Sequence, residues 1–204
     1  MNARWLSAFA WLVVLAPALW LGWLIVQAQS SIVSPLGADP AEFVVRYLGE
    51  WGMRILLASL LLSSVARRLK RPQLIRVRRR VGVAAFIYLT AHVLGYVWLF
   101  AGAQIQEIID DLFERTYITV GFLGWLLLLP LAVTSTRGWQ RRLGRRWKKL
   151  HKLVYVAVVA GCVHYWWLTK DGYGEVVVYC CITALLLGER WFARRRLPGA
   201  TFTG

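Results

Sequence analysis

The sequence predicts an all-α membrane protein, a bundle of six transmembrane helices with both termini cytoplasmic, and three observations carry that expectation. Of 204 residues, 58% are hydrophobic and twelve are Trp, with a mean hydropathy of +0.52; soluble domains are nearer about 45–50% apolar. Apolar runs approaching the roughly 20 residues that span a bilayer recur along the chain. Between them, basic clusters alternate with acidic segments.

The first span is expected near Trp5–Val26. Its apolar core exceeds the usual 7–15 residues of a signal-peptide h-region and no A-x-A site follows, so it is read as a retained span. The second, Trp51–Ala66, is short and carries Arg54 in its first turn, where a long side chain can snorkel to the interface. The remaining spans are Val81–Ala101, Tyr117–Thr134, His151–Leu168 and Glu175–Phe192. No internal repeat is apparent, and residues 1–204 read as a single domain.

Charge orients the bundle. Of the 25 Lys and Arg residues, all but Arg46, Arg54, Arg115 and Lys170 fall at the N-terminus, between spans two and three, around the start of span five, or in the tail. That side is cytoplasmic by the positive-inside rule, which leaves Gln27–Glu50, Gly102–Thr116 and Thr169–Gly174 on the periplasmic side. Eight of the ten acids lie in those segments and a ninth, Glu175, directly follows the last of them, with a net formal charge over the whole chain of +15.

Several function classes are set aside. A pI near 10.6 ordinarily suggests nucleic acid; here the basic residues sit in clusters between apolar runs, so lipid is the expected surrounding and no nucleic-acid partner follows. There is no P-loop, no G-x-G-x-x-G after a strand and no hydrolase triad context. Cys162, Cys180 and Cys181 lack a C-x-x-C-H haem-attachment or zinc spacing and read as packing residues.

The three histidines all lie in spans. His92 is about 18 Å and His164 about 22 Å along their helices from the basic ends, at 1.5 Å per residue. Two neutral imidazoles at similar depth on two helices running in the same direction suit the axial positions of a six-coordinate haem b, which leaves no open site and favours electron transfer. Gly161, one turn before His164, offers either room for a porphyrin edge or close helix packing. His151 stands 13 residues before His164, and the position 13 before His92 is Arg79. Three readings of His151 stay open: a second haem with another ligand, a flavin or quinone headgroup, or the membrane interface.

Four segments then bear a resemblance: LGADPAEFVVRYLGEWGMR (Leu36–Arg54), RRRVGVAAFIYLTAHVLGYVW (Arg78–Trp98), YITVGFLGWLLLLPLAVTST (Tyr117–Thr136) and RRWKKLHKLVYVAVVAGCVHYWWL (Arg145–Leu168). Together they resemble the MsrQ (formerly YedZ) family, within the ferric-reductase-like transmembrane group. The resemblance implies a haem b membrane subunit of the bacterial inner membrane, which takes electrons from the quinone pool and passes them to MsrP. That soluble periplasmic, molybdenum-containing partner reduces methionine sulfoxide in oxidised proteins, so the chain itself is an electron-transfer subunit and not the catalytic one. It further implies FMN as a cofactor, His92 and His164 as haem ligands, and His151 as the group's further histidine. Wider relatives have four histidines in two pairs, and Arg79 stands where the fourth would be. Two alternatives share these helices: a ferric reductase served by a separate cytoplasmic flavin reductase, and a non-redox scaffold or transporter.

Overall fold

The computed structural model describes residues 3–30, 34–169 and 172–195. Among them every element is helical: α1 (Ala3–Ser30), α2 (Pro40–Arg68), α3 (Pro72–Leu99), α4 (Ile105–Glu114), α5 (Thr116–Val133), α6 (Arg137–Leu143), α7 (Arg145–Leu150), α8 (Leu153–Leu168) and α9 (Gly174–Arg195). Four of these, α1, α2, α3 and α5, are long and apolar enough to cross a membrane. The 16 residues of α8 fall short of a full span by length alone. Lys170, Asp171 and Arg196, whose charges entered the orientation argument, lie outside the described residues.

The second helix starts well before the expected Trp51. Asp39 accepts a bond from the Glu42 N–H at 3.0 Å, and Pro40 occupies the first turn, where its missing N–H costs nothing. This capping arrangement converts Pro40–Glu50, expected as periplasmic loop, into the first three turns of a 29-residue helix. α2 returns into α3 through a turn at Lys70 with φ +51°, and Pro72 opens α3.

α1 is apolar on every face, and Leu12 and Leu19 are about 70% exposed, as suits a helix whose surroundings are lipid. Tyr47 donates to the Pro17 carbonyl at 3.1 Å and Tyr88 to that of Val14 at 2.7 Å, fastening α1 to α2 and α3 around its proline. The core lies between α2, α3, α5 and α8, with Leu60, Ala85 and Val158 almost wholly buried. At the basic end, Arg190 of α9 is buried and donates to the Leu60 carbonyl at 2.7 Å, with its guanidinium 5.3 Å from the Tyr155 ring centre. Glu189 beside it pairs with Arg68 at 3.2 Å.

The expected periplasmic loop 102–116 holds an amphipathic helix, α4. Ile105, Ile109 and Phe113 form an exposed apolar row, while Glu107, Asp110 and Glu114 face solvent. Cys162 is buried with its Sγ 3.4 Å from Thr183 Oγ1, in keeping with the packing role expected of it, whereas Cys180 is partly buried and Cys181 exposed.

Candidate functional site: a histidine pair and a basic cavity

α3 and α8 bring His92 and His164 together, with ring centres 6.2 Å apart and planes at 76°. Each imidazole is held from behind by a main-chain carbonyl. His92 Nδ1 lies 2.8 Å from the Val45 oxygen, and His164 Nδ1 2.7 Å from that of Tyr117. A carbonyl only accepts, so both Nδ1 atoms carry the proton and each Nε2 keeps its lone pair.

Two glycines make this possible. A Cβ on Gly49 would sit 2.8 Å from His92 Nδ1, and one on Gly121 2.6 Å from His164 Nδ1. Only hydrogen fits there. One turn further along, a Cβ on Gly52 would meet Leu89 and one on Gly124 would meet Ala160, so both glycines bring neighbouring helices close. Gly161 is closed off by Met53, whose sulfur would lie 3.3 Å from a Cβ there. Its missing side chain therefore serves helix packing.

These contacts overturn the expectation that the chain has no internal repeat. Each histidine bonds a carbonyl 47 residues upstream, and Val45, Gly49, Gly52 and His92 correspond to Tyr117, Gly121, Gly124 and His164 at one constant spacing of 72 residues. The correspondence extends to Ser63 and Ser135, which both bond the carbonyl four residues back. It extends also to Met53 and Trp125: Met53 of α2 packs on Gly161 of α8, while Trp125 of α5 donates to Thr90 of α3 at 3.0 Å. Hairpin α2–α3 and the pair α5–α8 are thus two versions of one unit, and the histidines face each other across them. The identities are too sparse to stand out by eye; the G-x-x-G at 49–52 and 121–124 was the available signal.

The pair sits at the acidic end, seven residues before the end of α3 and four before the end of α8. Glu50, next to Gly49, accepts from Arg54 at 3.1 Å. Tyr165, next to His164, donates to Glu175 at 3.3 Å, and Arg54 Nε donates to the Tyr179 hydroxyl at 2.6 Å. Arg54 is therefore tied into an ionic and aromatic network linking α2, α8 and α9. On the other flank, Tyr96 donates to Asp111, Arg115 pairs with Asp111 at 3.0 Å, and Thr119 donates to the Leu112 carbonyl. These bonds fix α4 against the segment that carries the Tyr117 carbonyl.

His151 does not join them. It follows α7 as its C-cap, outside α8, so the straight helical rise expected between it and His164 does not apply. Its ring lies 3.9 Å from the Trp147 ring centre, and its Nε2 is 3.2 Å from Thr134 Oγ1. That hydroxyl gives its one hydrogen to the Pro130 carbonyl at 2.6 Å, so His151 Nε2 is the donor and carries the proton. His151 has the opposite tautomer from the other two and lines a cavity of about 600 Å³ together with Arg78, Arg79 and Trp147.

The donor set of the His92–His164 pair fits a haem. Two imidazoles with ring centres 6.2 Å apart and neither Nε2 engaged by a carbonyl could hold one metal between them. Among the described residues no group of three or more His, Cys, Asp or Glu could hold a bare metal ion. Two free Nε2 atoms suit a metal whose other ligands come from a macrocycle.

Fold and site define a class: a helical membrane protein whose two central helices present one inward histidine each. Comparison with known proteins agrees. Residues 48–162 match the family described as ferric reductase like transmembrane component. The chain is 42% identical over 187 residues to the protein-methionine-sulfoxide reductase heme-binding subunit MsrQ of Caulobacter vibrioides, covering 91% of this chain and 86% of that protein. It is 42% identical over 181 residues to the MsrQ of Xanthomonas campestris pv. campestris (89% and 83% covered) and 41% over 183 residues to that of Xanthomonas oryzae pv. oryzae (90% and 83%). The chain belongs to the MsrQ family of ferric-reductase-like transmembrane proteins.

Proposed function

We propose that this chain is the haem b electron-transfer subunit of a methionine-sulfoxide reductase system in the bacterial inner membrane. It carries electrons from the quinone pool, directly or through FMN, to the periplasmic molybdenum enzyme MsrP, which performs the reduction that repairs oxidised proteins. The observation that supports this most is the His92–His164 pair, with both Nδ1 protons committed to carbonyls and both Nε2 lone pairs free. The names of the 41–42% identical relatives point the same way.

In this reading His92 and His164 would hold the haem iron through their Nε2 atoms, and a bound haem would supply one-electron chemistry there. The Val45 and Tyr117 carbonyls orient the imidazoles and raise their basicity as ligands. Gly49 and Gly121 let the carbonyl-bearing helices approach closely enough to do so. His151, at the basic end beside Arg78 and Arg79, stands on the donor side. The exposed acids of α4 stand on the delivery side, where they suit a basic patch on a soluble partner.

The reading places all of residues 1–204 in one transmembrane domain and makes α1, α2, α3, α5, α8 and α9 its six spans, with both termini in the cytoplasm. α8 supplies about 24 Å of helix, to which α7 and the His151 turn add length at the basic end. Alkaline phosphatase fused at the C-terminus is expected to be inactive, and the same enzyme inserted at Ala103 active; the reverse pattern defeats the orientation.

Stopped-flow absorbance of the purified protein tests the function itself. A haem b Soret band is expected to shift on reduction by quinol and to return on mixing with oxidised MsrP and methionine sulfoxide. A protein that purifies without haem, or whose reduced haem is not re-oxidised by MsrP, sinks the proposal.

A further inference from the structure

Helix α4 presents a different chemistry on each of three sides, as the turn of about 100° per residue distributes its sequence. One side faces the bundle. Ile108, Asp111 and Leu112 are partly buried there; Asp111 accepts from Tyr96 of α3, and the Leu112 carbonyl from Thr119 of α5. The opposite side is polar and exposed, with Glu107 and Glu114 beside Gln106, whose amide donates to Asp110 at 3.0 Å. Between the two runs the row of Ile105, Ile109 and Phe113, spaced one turn apart. It is exposed yet wholly apolar, Phe113 by 84% and Ile105 by 75%.

The connections fix the level at which α4 lies. After α3 the chain turns at once: Gly102 and Ala103 take φ of +55° and +58°, and the Ala103 N–H donates to the Val97 carbonyl at 2.8 Å. At the other end a single residue, Arg115, separates α4 from α5. Both α3 and α5 are long and apolar enough to cross a membrane, so each end of α4 is held where a span leaves the bilayer. Trp98, Leu99 and Phe100, at the end of α3, are each more than half exposed, and aromatic residues gather at the membrane–water interface. The apolar row of α4 begins where this lipid-facing surface ends.

A soluble protein suits the row poorly. Stable interfaces bury about 800 Å² per partner over about 20–30 residues a side, whereas this row has three side chains and is bordered by acids. Many interfacial helices turn Lys and Arg toward anionic headgroups. The exposed charges of α4 are acidic instead, so its seat is apolar and not electrostatic.

We propose that α4 lies along the membrane surface at the acidic end of the bundle, with Ile105, Ile109 and Phe113 inserted among phospholipid acyl chains and Glu107, Asp110 and Glu114 turned to water. Held by lipid on one side and by Tyr96 and Thr119 on another, α4 braces the start of α5, which supplies the Tyr117 carbonyl to His164. The seat depends neither on haem nor on which face of the membrane is the outer one.

The test places the photoreactive residue p-benzoylphenylalanine in the full-length protein in place of Ile109, Phe113, Asp110 or Glu114, one position at a time. Each variant is reconstituted in phosphatidylcholine nanodiscs and irradiated, and intact-mass spectrometry reads the product. Adducts heavier by one phospholipid are expected at positions 109 and 113, at least about tenfold above those at 110 and 114, because the two faces of an interfacial helix meet acyl chains and water respectively. The proposal is overturned if positions 109 and 113 give no lipid adduct, or if all four positions give it equally. It is overturned also if 109 and 113 join to a second copy of the chain or, when it is added, to MsrP instead of lipid.

Discussion

His92→Ala and His164→Ala are each expected to abolish the low-spin, six-coordinate spectrum of the bound haem, leaving a high-spin five-coordinate species or protein without haem. The reason is the count of ligands. With each Nδ1 committed to a carbonyl, the pair offers two Nε2 atoms, and removing either side chain opens a coordination position on the iron. His151→Ala, by contrast, is expected to leave that spectrum intact, because its Nε2 is held by Thr134 and its ring by Trp147 in a different part of the bundle. Pyridine haemochrome content and the visible spectrum, with far-ultraviolet circular dichroism to verify helix content, give the measurement. Added imidazole is expected to restore the low-spin bands in the alanine variants by entering the space the side chain left. An unaltered spectrum in His92→Ala or His164→Ala excludes that residue as a ligand.

The histidine pair could be read from sequence because a membrane helix is a ruler. With a fixed rise per residue, the distance of His92 and His164 from the basic clusters places them at similar depth, and buried polar residues in an apolar run invite explanation. The same ruler misled at His151. It assumed one continuous helix from His151 to Leu168, whereas the backbone turns at His151–Lys152 and α8 begins at Leu153. Searching for windows of about 20 apolar residues also hid whatever was shorter or mixed. The Asp39-x-x-Glu42 cap with Pro40 announces a helix start by its own chemistry, yet the charges that follow in Glu42, Arg46 and Glu50 kept Pro40–Glu50 out of the second span. α4 was concealed likewise, although Ile105, Ile108, Ile109, Leu112 and Phe113 recur at helical spacing.

What surrounds the histidines was less legible. Main-chain carbonyls carry no signature in sequence: any residue could stand at Val45 or Tyr117 and offer the same oxygen. The glycines do have an identity, but glycine is frequent in membrane helices for packing alone. Only the constant spacing of 72 residues, seen once both imidazoles are in place, shows that Gly49 and Gly121 perform one task. The repeat also explains why His151 and Arg79 matter together. They are equivalent positions of the two units, and both line the basic cavity. The acidic ends of the units carry matched histidines, whereas their basic ends carry a histidine and an arginine. One unit, used twice, thus builds a symmetric donor pair at one end and an asymmetric, cationic hollow at the other.

Gly121→Ala is expected to reduce haem affinity by about 10–100-fold, the range seen when a partner that orients a metal ligand is lost. The added methyl would lie 2.6 Å from His164 Nδ1 and 2.9 Å from its Cε1, so the ring must move. Moving it breaks the 2.7 Å bond to the Tyr117 carbonyl, which fixes both the tautomer and the direction of Nε2. Gly49→Ala is expected to act the same way on His92 with a smaller effect, its methyl lying 2.8 Å from Nδ1. Gly124→Ala provides the contrast. Its Cβ meets Ala160 at 3.3 Å and no imidazole atom within 4 Å, so it strains the contact between α5 and α8 while leaving the ring in place. Haem titration of apo-protein, together with the low-spin electron paramagnetic resonance signal of the ferric form, separates the two outcomes. Weakened binding with altered g-values is expected for Gly121→Ala, and a lowered melting temperature with unaltered g-values for Gly124→Ala. If Gly121→Ala takes up haem with unchanged affinity and an unchanged signal, His164 is not held by the Tyr117 carbonyl in the loaded protein.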